Sequence, residues 1–328
     1  MTIDLSQYVF KSSNFTSPVA GEKVIFTGAV HGNEICGTQA ILRLMREMET
    51  GEIRLLAGSV TLVPVCNPLA YALGQREGER NLNRRLRPTT QITQFEDAVA
   101  NWLCPLLGQH DTLLDLHSFR GAGRAFVMVG PDNNQGQIEA FALAEKERSL
   151  ALRLGVTRFV DGWLSTYALG VQKRQARYAT QPELAAQLDL DPNYGVGTTE
   201  TMRALGGCAL TLECGQHQDP MASEVAYQAM LSTLRHFGMI TGSALQEAPT
   251  TQREALRLVE VVDKIHADDS FCRTWASFDQ IKQGEEIGKR ADGRVVVAEF
   301  DAAIVFPDVA AKAGEEWFYL ARHNNRFL

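Results

Sequence analysis

The sequence predicts an α/β layered domain with a mostly parallel sheet, followed by a small all-β domain. Three observations predict it. Short apolar segments bounded by glycine alternate with segments of helical period up to residue 238. Several of those apolar segments end on an ionisable residue, as strands do where an open α/β sheet offers a binding site. The composition then changes near 242, at GSALQEAPTTQ, which reads as a linker. The division is set at 1–246 for the α/β domain and 247–328 for the β domain.

Residues 23–30 (KVIFTGAV) form the first strand: short, apolar, β-branched and stopped by glycine. In the helix that follows, Ile41, Leu44, Met45 and Met48 recur at i, i+3, i+4 and i+7, and Gly51 ends the pattern. SVTLVPVCNP supplies a strand over 59–67. Residues 70–93 are polar, Arg-rich and aperiodic; a loop of that length in a compact domain tends to be functional. A helix over 94–107 leads to the strand DTLLDLHS, and RAFVMVG begins another near 124. A helix over 136–154 and a strand near 156–161 follow, and 165–205 reads as a loop-rich insertion. GCALTLECG is a further buried strand. The helix over 220–238 carries Ala222, Val225, Ala226, Ala229, Met230, Leu234 and Phe237 on one stripe. Beyond the linker, ALRLVEVVDKIH, RVVVAEFDAAIVF and EEWFYLA are strand-like.

The 328 residues carry a net charge of −7 with no basic stripe, which argues against nucleic acid as a partner. No apolar run approaches the roughly 18 residues that a membrane span needs. MTIDLSQYVFKSS lacks the basic and apolar regions of a signal peptide. The six cysteines are scattered without a Cys-x-x-Cys pair, as in reduced thiols of a cytoplasmic protein.

Three strand ends carry the chemistry. The first ends at His31 and Glu34, the third at His117, and the late strand at Glu213. His31 and Glu34 are three apart, so one tight turn aims both at a point. With His117 they make two nitrogens and a carboxylate, a normal ligand set for a catalytic zinc with an open position. Strand alternation puts Asp115 on the same face as His117, where a carboxylate fixes a ligand histidine's tautomer. Glu213 is placed to take and return the proton of an activated water. The loop REGERNLNR (76–84) adds Arg76, Arg80, Arg84, Asn81 and Asn83; Arg85 follows it. Guanidinium forks bind carboxylates in bidentate fashion, so this loop suits an anionic substrate.

The succession HGNE, N-P with the arginine loop, DLHS and LTLECG resembles the succinylglutamate desuccinylase/aspartoacylase family, relatives of zinc carboxypeptidases. The resemblance extends over most of the chain, trailing β domain included. It implies a carboxypeptidase-like three-layer α/β/α fold and one zinc per chain on His31, Glu34 and His117. It implies Glu213 as general base and acid, and Arg76, Asn83, Arg84 and Arg203 as substrate-binding residues. Such enzymes hydrolyse N-acyl amino acids. Two positions depart from the family pattern. Asn81 stands where many members have Asp, and Lys312 or Ala313 stands where aspartoacylases place a tyrosine, with Tyr319 several residues on. Arg120 and Arg124 add cations in SFRGAGR, either for a further substrate carboxylate or as a solvated turn.

The leading expectation is a zinc N-acyl-amino-acid amidohydrolase with a small anionic substrate. The alternative is a metallocarboxypeptidase acting on a peptide or peptidoglycan fragment; a catalytically dead ligand-binding protein is disfavoured by the full set of competent residues. Assembly into a homo-oligomer is left open.

Overall fold

The computed structural model describes residues 4–136, 138–179, 191 and 193–327. Its centre is a run of parallel strands: β2 (Lys23–Thr27), β3 (Ser59–Val63), β4 (Thr112–Phe119) and β7 (Cys208–Gln216). Strand β1 (Ser13–Thr16) pairs antiparallel on the outer side of β3. Every residue of β4 is buried, because helices cover both faces of the sheet and the usual polar alternation is absent. On one face, Phe26, Leu114 and Leu210 pack with Ile41 and Leu44 of α1 (Cys36–Glu49) and with Ala226 and Met230 of a long helix over Ala222–His236. On the other, Ile25, Leu113 and Ala209 meet Phe95, Val99 and Leu103 of the helix Phe95–Leu107 and Met202 of the helix Thr198–Ala204. The mostly parallel, mixed α/β architecture expected from the sequence is therefore present.

Beyond β7 the sheet changes direction. β5 (Phe126–Met128) pairs antiparallel with β7, and β6 (Arg158–Asp161) runs parallel to β5. The segment expected as a loop-rich insertion is instead helical at both ends, over Trp163–Tyr178 and Thr198–Ala204; residues 180–190 and 192 lie outside the described part. Leu164, Tyr167, Ala168 and Val171 do carry helical spacing. The stripe is masked in the sequence by Gly170, which lets Val261 approach, and by a buried Arg174.

The C-terminal region is antiparallel β, as expected, and it continues the same sheet. Residues 241–249 have no regular structure. β8 (Glu254–Asp263) then pairs in parallel with β6, and β14 (Glu316–His323), β13 (Ala302–Val305) and β10 (Gln280–Ile281) add antiparallel strands to make eleven among the described residues. Among the described residues a separate three-stranded sheet packs nearby, through a cluster that holds its Ile287 with Ile304 and the fully buried Trp317.

Candidate active site

The chain leaves β2 through a constrained turn. Ala29, fully buried, sits at φ +45°, a conformation unusual for a residue with a side chain. Gly32 is pressed against the short helix Pro68–Leu73: a Cβ there would lie 2.0 Å from the Ala70 carbonyl carbon. This turn, closed by the Glu34 N–H donating to the His31 carbonyl at 3.1 Å, explains why glycine separates the two ligand candidates. It brings His31 Nδ1 to 2.9 Å from one oxygen of Glu34, while His117 Nδ1 lies 2.9 Å from the other. Ligand atoms of His31, Glu34 and His117 all fall within 4.8 Å of one another, and all three residues are buried. Sheet register sets His117 directly beside Glu213.

The far ring nitrogens are held by oxygens. His31 Nε2 lies 3.1 Å from Asn81 Oδ1, and that oxygen also accepts from the Asn83 N–H at 2.9 Å, which fixes the amide's orientation. His117 Nε2 lies 2.9 Å from Asp115, whose carboxylate also accepts from Thr27 and Thr198 hydroxyls. Both rings thus carry a proton on Nε2 and turn Nδ1 inward. Despite the short distance to Glu34, His31 Nδ1 makes no hydrogen bond, and neither does Glu213 Oε2; both atoms are buried. Burial, assisted by Arg76, lowers His31 to about 4, so its lone pair is available at neutral pH. Burial pushes Glu213 up to about 8, with Glu34 and Asp115 adding to it against His117 and Arg76. Two inward-facing ring nitrogens, a carboxylate and unsatisfied valence beside them fit a zinc ion, which would displace the proton that Asp115 and Glu34 hold on His117 against its burial.

These groups open into a cavity of about 560 Å³ whose walls come from both the parallel and the antiparallel parts of the sheet. Arg76, half exposed, reaches Glu34 at 3.0 Å. Arg84 is deeply buried; its guanidinium carbon lies 5.0 Å from the Trp163 ring centre and 5.2 Å from that of Tyr167, and it donates to the Asn83 carbonyl. Asn83 also lines the cavity, with its Oδ1 accepting the Thr198 N–H at 3.0 Å at the start of the helix Thr198–Ala204. Arg203 lines the wall with its guanidinium enclosed by Glu147, Glu139 and the Ala209 carbonyl, so the structure gives it chain partners where the resemblance implied substrate. Arg120 is at the rim, 3.1 Å from Asp308, whereas Arg124 is exposed and does not line the cavity. Ala313 lines the mouth; Tyr319 lies deeper, its buried hydroxyl without a hydrogen bond.

Several contributors have no local signature. Glu96, fully buried on its helix, accepts the N–H groups of Gly78, Glu79 and Arg80 and so shapes the arginine loop. Its only sequence mark is an acid in a helix's first turn. Ser118 and His217 form a 2.8 Å pair at the cavity wall, and Trp163, Tyr167 and Glu316 surround Arg84 from elements remote in sequence.

Residues 20–153 match the succinylglutamate desuccinylase/aspartoacylase catalytic domain. The resemblance is borne out over these residues, which hold three of the four motifs, while LTLECG lies beyond them. Solved structures agree in fold. A succinylglutamate desuccinylase/aspartoacylase from Rhodobacter sphaeroides superposes with a TM-score of 0.70 at 17% identity, covering 96% of this chain and 89% of the other. The product-bound ectoine utilization protein EutE (DoeB) from Ruegeria pomeroyi gives 0.68 at 16% identity over 94% and 88%. A succinylglutamate desuccinylase from Vibrio parahaemolyticus gives 0.67 at 15% over 96% and 92%. No curated protein sequence matches significantly.

Proposed function

We propose that the chain is a zinc-dependent amidohydrolase that cleaves the amide of an N-acyl amino acid. The observation that carries this reading is the inward-facing His31, Glu34 and His117 set beside a buried Glu213 with a free oxygen. Zinc held on those three residues would supply Lewis acidity at the scissile carbonyl and would acidify water. Glu213, as carboxylate, takes the water's proton and returns it to the leaving amine; burial, with Glu34 beside it, raises its proton affinity above that of an ordinary carboxylate. Arg84 holds the α-carboxylate, in a desolvated place where a charge-assisted bond is strong. Arg76, beside Glu34, faces the charge that develops on the carbonyl oxygen. Asn83 acts indirectly, by fixing the helix that borders the cavity. Glu316 and Tyr319 close one wall, which favours a small acyl group over a peptide.

The proposed partner is this small anionic substrate, with neither nucleic acid nor membrane. Among the described residues no helix is long and apolar enough to cross a membrane, and all six cysteines are free thiols, which supports a cytoplasmic setting.

The test is a panel of N-acetyl, N-succinyl and N-formyl amino acids, with dipeptides alongside, assayed on zinc-loaded protein. Release of free amino acid from an N-acyl substrate is expected; turnover of dipeptides alone would establish the carboxypeptidase alternative. Elemental analysis should find about one zinc per chain, as a single three-ligand site requires. Full metal content in the His31→Ala, His117→Ala double variant would refute the ligand assignment.

A further inference from the structure

Two thiols meet behind the cavity wall. Along β7, Leu210, Leu212 and Cys214 alternate onto the face that α1 covers, so Glu213 turns to the cavity while Cys214 turns away from it. α1 begins on Cys36, two residues after Glu34, and the Cys36 thiol donates to the His117 carbonyl at 3.3 Å. Sheet register sets His117 beside Glu213, so the step from 117 to 118 runs next to the step from 213 to 214. A sulfur held at the first step therefore reaches a sulfur at the second. The Cys36 and Cys214 side chains hydrogen-bond to each other, and Cys36 also contacts the Ser118 hydroxyl. Cys36 is 4% exposed and Cys214 1%. The other cysteines are placed differently. Cys66 and Cys104 sit in the apolar cluster on the opposite face, Cys208 faces the Thr112 hydroxyl at 3.2 Å, and the exposed Cys272 donates to the Glu286 carbonyl.

The chain ties this pair to the site. Cys36 follows Glu34 by two residues, Cys214 follows Glu213 directly, and the His117 carbonyl accepts from Cys36. Ser118 lines the cavity, so an oxidant of water's size held there is one side chain away from the Cys36 sulfur. In a reducing compartment such thiols rest unlinked, and a disulfide between them is a transient, sensing modification.

We propose that Cys36 and Cys214 form a reversible disulfide on exposure to hydrogen peroxide, and that this bond switches the site off. The Cys36 sulfur attacks one peroxide oxygen. The O–O bond breaks, the sulfur becomes a sulfenic acid, and the second oxygen leaves as water with the thiol's proton. The Cys214 sulfur then attacks the oxidised one, and the hydroxyl leaves with the Cys214 proton as a second water. Two thiols are oxidised and one peroxide is reduced. An S–S bond is shorter than the contact it replaces, so closing it draws the start of α1 onto β7. The turn that carries Glu34 and the strand end that carries Glu213 move with it. The loss of hydrolysis rests on the deacylase reading above; the bond itself does not.

The test uses zinc-loaded Cys272→Ser protein, which lacks the exposed thiol. It is treated with hydrogen peroxide, digested without reductant and examined by peptide mass spectrometry. The expected result is a cross-link from Cys36 to Cys214, with fragment ions excluding Cys208 of the same β7 segment. Weaker zinc binding and loss of turnover should accompany it, and dithiothreitol should reverse all three. Oxidation of single sulfurs without the cross-link overturns the proposal, as does a cross-link that leaves zinc affinity and turnover unchanged. Cys214→Ala should keep its activity and withstand the same dose, and equal sensitivity in that variant counts against the pair. Where Cys214→Ala does not fold, Cys36→Ser takes its place, since a hydroxyl can still donate to the His117 carbonyl. If untreated protein hydrolyses no N-acyl amino acid, the deacylase reading fails, and the cross-link and zinc affinity judge the proposal alone. A cross-link with weakened zinc binding then supports it, and no cross-link, or unchanged zinc binding, overturns it.

Discussion

The corner formed by His31, Glu34, His117 and Glu213 and the cluster around Arg203 make an instructive pair. Both are buried, both hold several charges, and both abut β7, one near its end and one near its beginning. In the cluster, Glu147 takes two donors of Arg203 and also the N–H groups of Gly130 and Ala209, and four of the five guanidinium hydrogens have an acceptor. In the corner, His31 Nδ1 and Glu213 Oε2 are left without a hydrogen bond. Buried polar atoms in proteins are nearly always paired, so what sets the corner apart from the cluster is leftover valence, not charge.

Substitutions at four positions sharpen or break that contrast. The largest effect is expected for Glu213→Gln, which removes the proton acceptor but keeps the shape. Its kcat should fall roughly 10²–10⁴-fold with zinc content and thermal midpoint unchanged, and near wild-type kcat would remove Glu213 from the chemistry. Arg203→Ala should act on folding instead. Stripping the cation from three buried carboxylates should cost about 3–5 kcal/mol in denaturant unfolding; a stable variant that has lost only activity would return Arg203 to substrate binding. Arg84→Ala should lower kcat/KM by roughly one to two orders of magnitude, since hydrogen bonds to charged groups are worth about 1.5–3 kcal/mol. Arg84→Lys should recover little of it, because an ammonium cannot copy the fork. Arg84→Ala should also lose the preference for a free α-carboxylate over the amide.

The smallest effect is a slope. Glu139 ionises at about 7 in the folded protein, above its ordinary 4.5, so between those values the folded state binds the extra proton. Stability from this group is complete below about 4.5 and is lost as pH rises towards 7 and beyond. Glu139→Gln should therefore flatten the decline of unfolding free energy between pH 5 and 7.5, by about 1 kcal/mol or more. An identical slope in the variant would show that Glu139 is not strained by its neighbours.

Much of the fold was legible because its cause is local. The strands of the parallel core announce themselves by apolar runs that end on His31, His117 and Glu213, and the tautomer role of Asp115 follows from alternation alone. The amide at Asn81 departs from the family pattern, yet its oxygen serves His31 well. What could not be read depends on distant partners. Arg203 looks like any substrate arginine until Glu147 and Glu139, 56 and 64 positions away, are seen to enclose it. The continuation of the sheet from β6 into β8 rests on pairings such as Arg158 with Glu254, 96 positions apart, while the composition shows only a linker. The helix Trp163–Tyr178 was missed because Arg174, on its buried stripe, finds its countercharge on Asp263 and Glu316.

The wall around Arg84 has a consequence for the order in which the enzyme is made. Glu316, which receives Tyr167 and Arg174 and stands nearest Arg84, belongs to β14, whereas His31, Glu34 and His117 are complete by residue 117. At roughly 5–20 residues per second on the ribosome, the ligands emerge on the order of ten seconds or more before that strand. On the proposed function, a nascent chain would own its three candidate metal ligands well before the wall around Arg84, and hydrolysis would wait on the seating of β14.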